Sequence, residues 1–136
     1  MTICHLECFV SYGAFMIAGN YNILCEQGST FTRVIAIEEP TIEDPETYTP
    51  YNLTDHTARM QVRRTIESTN LIIELTTENG RISLDELGGV ITLVITAEDT
   101  AELTSSGVYD LEIIDNNGVV SRVIQGTFTL SKEVTR

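Results

Sequence analysis

After residue 20 the chain breaks into short runs of β-branched and apolar residues divided by glycine- and asparagine-rich turns, and this segmentation constrains the fold more than any other feature. Little sustained 3.6-residue apolar patterning accompanies it, so long amphipathic helices are not expected. The candidate strands are Tyr21 to Glu26, Thr30 to Ile37, Thr57 to Arg64, Leu71 to Thr76, Val90 to Thr96, Val108 to Ile114 and Val119 to Leu130. Runs this short cannot bury their apolar sides alone; they must pair into sheets, and the sheets must stack. The expected class is all-β.

Alternation within the runs assigns faces. Ile91, Leu93 and Ile95 form one continuous set, Tyr109, Leu111 and Ile113 another, and Ala58, Met60 and Val62 a third. Asp110 and Glu112 then face water, as do Arg59 and Arg63. The turns are chemically specific: Asp115-Asn116-Asn117-Gly118 joins two apolar runs as a hairpin, Asn79-Gly80 can take positive φ at low cost, Gly88-Gly89 marks another reversal, and Gly28 separates the first two runs. Gly126 interrupts the last run, where a glycine often marks a bulge.

Thr96-Ala97-Glu98-Asp99 starts with a capping threonine followed three residues later by an acid, and predicts one helical turn, ending near Leu103, that crosses between sheets. It leads to Leu103-Thr104-Ser105-Ser106-Gly107-Val108-Tyr109, which is similar to the tyrosine corner of sandwich domains, so Tyr109 is expected to be structural. The architecture predicted is an immunoglobulin-like antiparallel β-sandwich of about seven strands spanning residues 21–136, with residues 1–20 as an N-terminal extension.

Glu38 to Asp55 stands apart, with six acids, all three prolines and no basic residue. It is expected to be a long loop rather than a strand pair, serving either as a contact loop or as a solvated insertion. It supplies half of a net charge of -12, from twenty acids against eight bases. Such a balance argues against nucleic acid as a partner, since lysine and arginine must neutralise phosphates, and against anionic membrane surfaces. With 42% hydrophobic residues the chain is nonetheless too apolar for a disordered acidic tail.

Chemistry-bearing constellations are few, and no catalytic, metal or cofactor residues are assigned. Cys4-His5-x-x-Cys8 is a fragment of a zinc-site spacing, but only Cys25 and His56 remain to complete four ligands, and three cysteines cannot close a disulfide framework. His5 and His56 sit in different contexts, and neither lies beside a serine or cysteine in a nucleophile-elbow setting. Glu98-Asp99 or Asp85-Glu86 could be imagined as a glycosidase pair, yet exposed positions explain them better. The acidic stretch has oxygens for calcium but lacks the regular ligand spacing. Asn52-Leu53-Thr54 matches a glycosylation sequon, a frequent chance tripeptide. Phe9 to Ala18 is about half of a membrane span of ~20 residues, and no basic residue precedes it as in a signal peptide.

The segments Asn52-Leu53-Thr54-Asp55-His56-Thr57-Ala58-Arg59-Met60-Gln61-Val62-Arg63, Leu75-Thr76-Thr77-Glu78-Asn79-Gly80-Arg81-Ile82 and Gly107-Val108-Tyr109-Asp110-Leu111-Glu112, with the ending Glu133-Val134-Thr135-Arg136, resemble small virion proteins of tailed bacteriophages. These in turn resemble the immunoglobulin-like N-terminal domain of phage upper-baseplate adaptor proteins. The resemblance covers about Tyr21 to Arg136. It implies a non-enzymatic virion structural protein, a tail or baseplate component or fibre adaptor, made in the bacterial cytoplasm, present in multiple copies and partnered by other phage structural proteins. A capsid-surface decoration protein is the alternative within that class, and a carbohydrate-binding module the alternative outside it. Related proteins begin a few residues before Glu26-Gln27-Gly28-Ser29-Thr30, which would make Met16 the natural start. Protein-interface candidates are Glu38, Glu39, Glu43, Asp44, Glu46, Arg59, Arg63, Arg64, Lys132 and Arg136, giving an acidic loop beside a basic strand. The C-terminal strand is expected to offer an edge for strand addition.

Overall fold

All seven expected runs form strands, with ends shifted by a few residues, and they belong to two facing sheets. The computed structural model describes residues 2–4, 7–11, 18–44 and 46–136, and of residues 2–4 and 7–11 only the backbone. In chain order the elements are β1 (Thr2–Cys4), β2 (Glu7–Ser11), β3 (Gly19–Asn20), β4 (Ile23–Glu26), β5 (Phe31–Pro40), β6 (Tyr48–Pro50), β7 (Thr57–Arg63), β8 (Ile73–Thr76), β9 (Ile82–Asp85), β10 (Val90–Ile95), α1 (Ala97–Ala101), β11 (Gly107–Ile114) and β12 (Val120–Ser131). The first sheet runs β1-β2-β5-β10-β9, with β6 against the end of β5. The second runs β3-β12-β11-β7-β8, with β4 also on β12. The partition of β5, β10 and β9 from β7, β11 and β12 is that of an immunoglobulin-type sandwich.

Alternation puts the predicted sets inside. Ile91, Leu93 and Ile95 meet Ala58, Met60, Val62, Tyr109, Leu111 and Ile113 between the sheets, all almost fully buried. Phe31 and Phe128 bridge the sheets at one end, ring centroids 6.3 Å apart. Burying each large aliphatic side chain contributes about 1.5–3 kcal/mol, so this layer dominates stability. The helical turn forms as expected: Thr96 accepts the Asp99 N–H at 3.2 Å, and α1 carries the chain from β10 in one sheet to β11 in the other. Its Thr100 is the one buried polar residue among those described, and its hydroxyl donates to the Ser29 carbonyl while accepting the Gly28 N–H.

Three expectations are corrected. The Glu38 to Asp55 stretch is not an open loop: Glu38 pairs with Pro50, Glu39 with Thr49 and Pro40 with Tyr48, making a hairpin of β5 and β6. Proline is compatible here because both prolines lie at strand ends, where a missing N–H costs no ladder bond. Second, β12 is not an open edge. Its Phe128 to Ser131 pairs in parallel with Ile23 to Glu26, and Ile124 and Gln125 with Gly19 and Asn20. Third, the bulge in β12 lies at Val123, where the register against Leu111 and Glu112 shifts and consecutive Val123 and Ile124 are both buried. Gly126 serves another need: a Cβ there would stand 2.4 Å from the Tyr21 carbonyl oxygen, so glycine lets the chain before β4 cross close over β12.

Tyr109 is structural, as expected: it is buried and its hydroxyl donates to upstream backbone, with an acceptor far from its own loop, the carbonyl of Tyr21, 88 residues away. Burial pushes its phenol far above the ordinary range, keeping it a donor. Arg33, on β5, grips the same crossing segment from the other sheet, bonding the Tyr21 hydroxyl at 3.1 Å and the Leu24 carbonyl at 3.1 Å while lying 4.8 Å from the Phe31 ring centroid. Residues 21–24 are thus clasped by both sheets.

Within the first twenty residues, β1 and β2 form a hairpin in which Cys4 stands opposite Cys8, and β2 lies parallel to β5. The expected start at Met16 and the His5 of the zinc-like spacing fall outside the described residues. Cys25 is buried in the core, and burial pushes its thiol up to about 11.

Candidate functional site

Two regions hold most of the charged candidates, and they differ in kind. On the outer face of the second sheet, alternation turns Arg59, Gln61 and Arg63 of β7 outward beside Asp110 and Glu112 of β11. Register then makes partners of them. Arg59 Nε donates to Glu112 at 2.8 Å, Gln61 Nε2 to Glu74 of β8 at 2.6 Å, and Arg122 of β12 stands 3.5 Å from Asp110. Arg63 is committed to the carbonyls of Ser68 and Thr69 and to the Gln61 side chain. Asp110 and Glu112 are therefore half-buried and paired rather than simply in water; partial burial and neighbouring Glu112 raise the Asp110 carboxyl above its usual range, against the pull of Arg122 and Arg59. A shallow depression of about 420 Å³ lies between Arg63, Asp110, Arg122 and Gln125. On its walls Arg122 meets both Asp110 and Gln125, and Arg63 bonds Gln61.

The second region is one end of the sandwich. Strand β5 runs toward it, β7 starts from it, and the β9–β10 and β11–β12 turns close it. Backbone bonds lace these segments together: Tyr51 N–H to Ile37, Ile37 N–H to Gly89 and Leu53 N–H to Glu86. Leu53 is fully buried and anchors the return from β6 to β7. The Tyr51 phenol is raised by burial and then by the carboxylates of Glu39, on the hairpin, and Asp115, in the β11–β12 turn. His56 meets that ring edge-on at 5.7 Å.

Residues 38–56, 85–90 and 114–120 form this end. They carry Glu38, Glu39, Glu43, Asp44, Glu46, Asp55, Asp85, Glu86 and Asp115, and no lysine or arginine. The aspartates of three turns shape the backbone: Asp44 accepts the Glu46 N–H, Asp85 the Gly88 N–H, and Asp115 the N–H groups of Asn117 and Val119. The side chains of the five glutamates have no hydrogen-bond or ion-pair partner among the described residues. No group of three or more His, Cys, Asp or Glu among the described residues converges as a metal site would require.

The structure therefore brings together Glu38, Glu39, Glu43, Asp44 and Glu46 and separates them from the basic candidates. Arg59 is paired on the sheet face. Arg63 and Arg64 lie at the opposite end of β7, and Lys132 and Arg136 follow the far end of β12. Acidic loop and basic strand are neighbours in sequence only, because an extended β7 carries its arginines away at roughly 3.3 Å per residue. Asp85, Glu86 and Asp115 were missed as members of the acidic end. Their signal was available: each flanks a glycine turn that strand direction returns to the end where β5 finishes. The imagined acid–base pairs dissolve, since Asp85 caps its own turn and exposed Asp99 is held below its usual range by a bond from Arg81.

No protein-family model matches the chain, and no curated protein matches it. No helix among the described residues is long and apolar enough to cross a membrane.

Proposed function

We propose that the protein is a non-enzymatic structural subunit of a tailed-bacteriophage virion, a tail or baseplate component that joins the particle to a fibre or similar attachment. One observation carries the reading: the segments that resemble phage virion proteins fall mostly on the sandwich frame, on β7 with the five residues leading into it, on the end of β8 with the turn into β9, and on most of β11, with only Glu133 to Arg136 beyond the last strand. A likeness concentrated in the frame favours a role in which the rigid body is the working part. The chemistry is consistent with it. The interior is apolar apart from Thr100, and the charged groups of the sheet face bond one another rather than converging on a reacting centre. A rigid two-sheet body with bonded faces transmits load and presents its ends to neighbours, which is the work of an adaptor.

Quantitative mass spectrometry of purified particles tests the proposal. A copy number that is a small multiple of three or six supports it, because particle symmetry fixes the number of equivalent positions. Hundreds of copies would instead make this a capsid decoration protein. Absence from particles combined with binding on a glycan array would overturn the virion role in favour of carbohydrate recognition.

A further inference from the structure

Large apolar side chains left in water on a small domain mark contact surfaces when they gather on one part of it. Of nine large apolar side chains exposed among the described residues, five, Ile42, Tyr48, Leu87, Val119 and Val120, belong to the hairpin and two turns that build the acidic end, while Leu24, Ile66, Leu71 and Val134 lie outside it. We infer that this end is the docking surface of the protein, and that its partner is a protein surface rich in lysine and arginine with apolar recesses between them. The inference rests on the proposed virion role and names the part of the molecule that performs it.

Charge selects the occupant. A region of nine acids and no base repels nucleic acid and anionic lipid, and its carboxylates do not converge on a cation site among the described residues. The exposed isoleucine, leucine and valines require an apolar counterpart, which a protein supplies and a small cation does not. A second copy of the chain is a poor fit. Of its eight basic residues, Arg33, Arg59, Arg63, Arg81 and Arg122 are already bonded within the fold, leaving Arg64, Lys132 and Arg136 to face nine carboxylates. A partner of opposite charge gains both orientation and rate of encounter from such an end. The turn aspartates and buried Leu53 hold it in shape before contact, which lowers the ordering cost of binding.

Carbodiimide coupling of intact particles, which joins carboxylates directly to amines, reads the docking end. The chain contains a single lysine, Lys132, so coupling within or between its own copies gives few products. Expected are links from Glu39, Glu43, Glu46 or Glu86 to lysines of a different virion protein. Links only through Glu98, Glu102 or Glu133, links only to Lys132 of a second copy, or none from the acidic end would overturn the inference. In a parallel arm, the combined Glu43→Gln, Glu46→Gln and Leu87→Ser variant should lose incorporation into particles by roughly tenfold or more at physiological salt while unfolding like the parent. Unchanged incorporation would overturn it equally. Absence of the parent protein from particles would instead defeat the virion role itself, so the two failures are distinguishable.

Discussion

The outer face of the second sheet and the acidic end are both polar, but only the face resolves its charges internally. Arg59 meets Glu112, Arg122 meets Asp110, and Gln61 ties Glu74, so the face approaches local neutrality. The end gathers nine acids without a base, leaving eleven acids and eight bases for everything else. Most of the net charge of -12 is therefore a property of one end of the molecule. A surface whose polar groups satisfy each other is held by the fold; a surface of one sign is open to something outside it.

That contrast implies that the face depends on the core beneath it, more than on its ion pairs. The largest effect should come from Leu111→Ala, which empties a fully buried position directly behind Asp110 and Glu112. Urea unfolding should show a loss of about 2–5 kcal/mol, and a loss below about 1 kcal/mol would mean the exterior network carries the sheet. Next in size is an alkaline effect. The Cys25 thiol is raised from 9.0 to about 11, so the folded state favours the protonated form. The stability it contributes is complete below pH 9 and is lost as pH rises toward 11, on the order of 2 kcal/mol. A Cys25→Val variant should show a flatter decline over that window, and an identical slope would remove the thiol from the account. Smaller again is Tyr109→Phe, which removes one hydrogen bond to the Tyr21 carbonyl and should cost about 0.5–1.5 kcal/mol.

The frame was legible in the sequence because period-2 alternation and glycine turns are local: every inward residue predicted on β7, β10 and β11 is buried. What was not legible depended on contacts between distant segments. β6 was hidden because Tyr48 to Pro50 is exposed on both faces and shows no alternation, its strand character coming from the partner β5. The apparent free edge of β12 was closed by the early residues 19–26, and the Tyr109 partner by the same crossing. The interface candidates suffered likewise. Charge runs were visible, but the separation of Arg64 from Glu43 and the return of Asp115 to the end where β7 starts follow from strand direction, which is read only by combining runs with the turns between them.

The ion pairs of the face should prove individually weak. Arg59 is about half exposed, so a double-mutant cycle of Arg59→Ala and Glu112→Ala should give a coupling of about 0.2–1 kcal/mol that shrinks in salt. A coupling well above that range would show the face to be a stabilising network rather than a neutralised surface.

The smallest effect distinguishes the end most sharply from the face. Glu39→Gln, Glu43→Gln and Glu46→Gln combined remove three carboxylates that bond nothing among the described residues, leaving the turn-forming Asp44 in place. Surface changes of this kind stay within about 0.5 kcal/mol, and here the sign should be stabilising, since each removed charge relieves repulsion from the remaining six acids of the end. The gain should be largest at low ionic strength, where the screening length reaches about 30 Å at 0.01 M, and should vanish toward 1 M salt. A destabilisation by the triple variant would mean those glutamates hold the hairpin, and the end would then be a structural element like the face rather than a surface kept charged for contact.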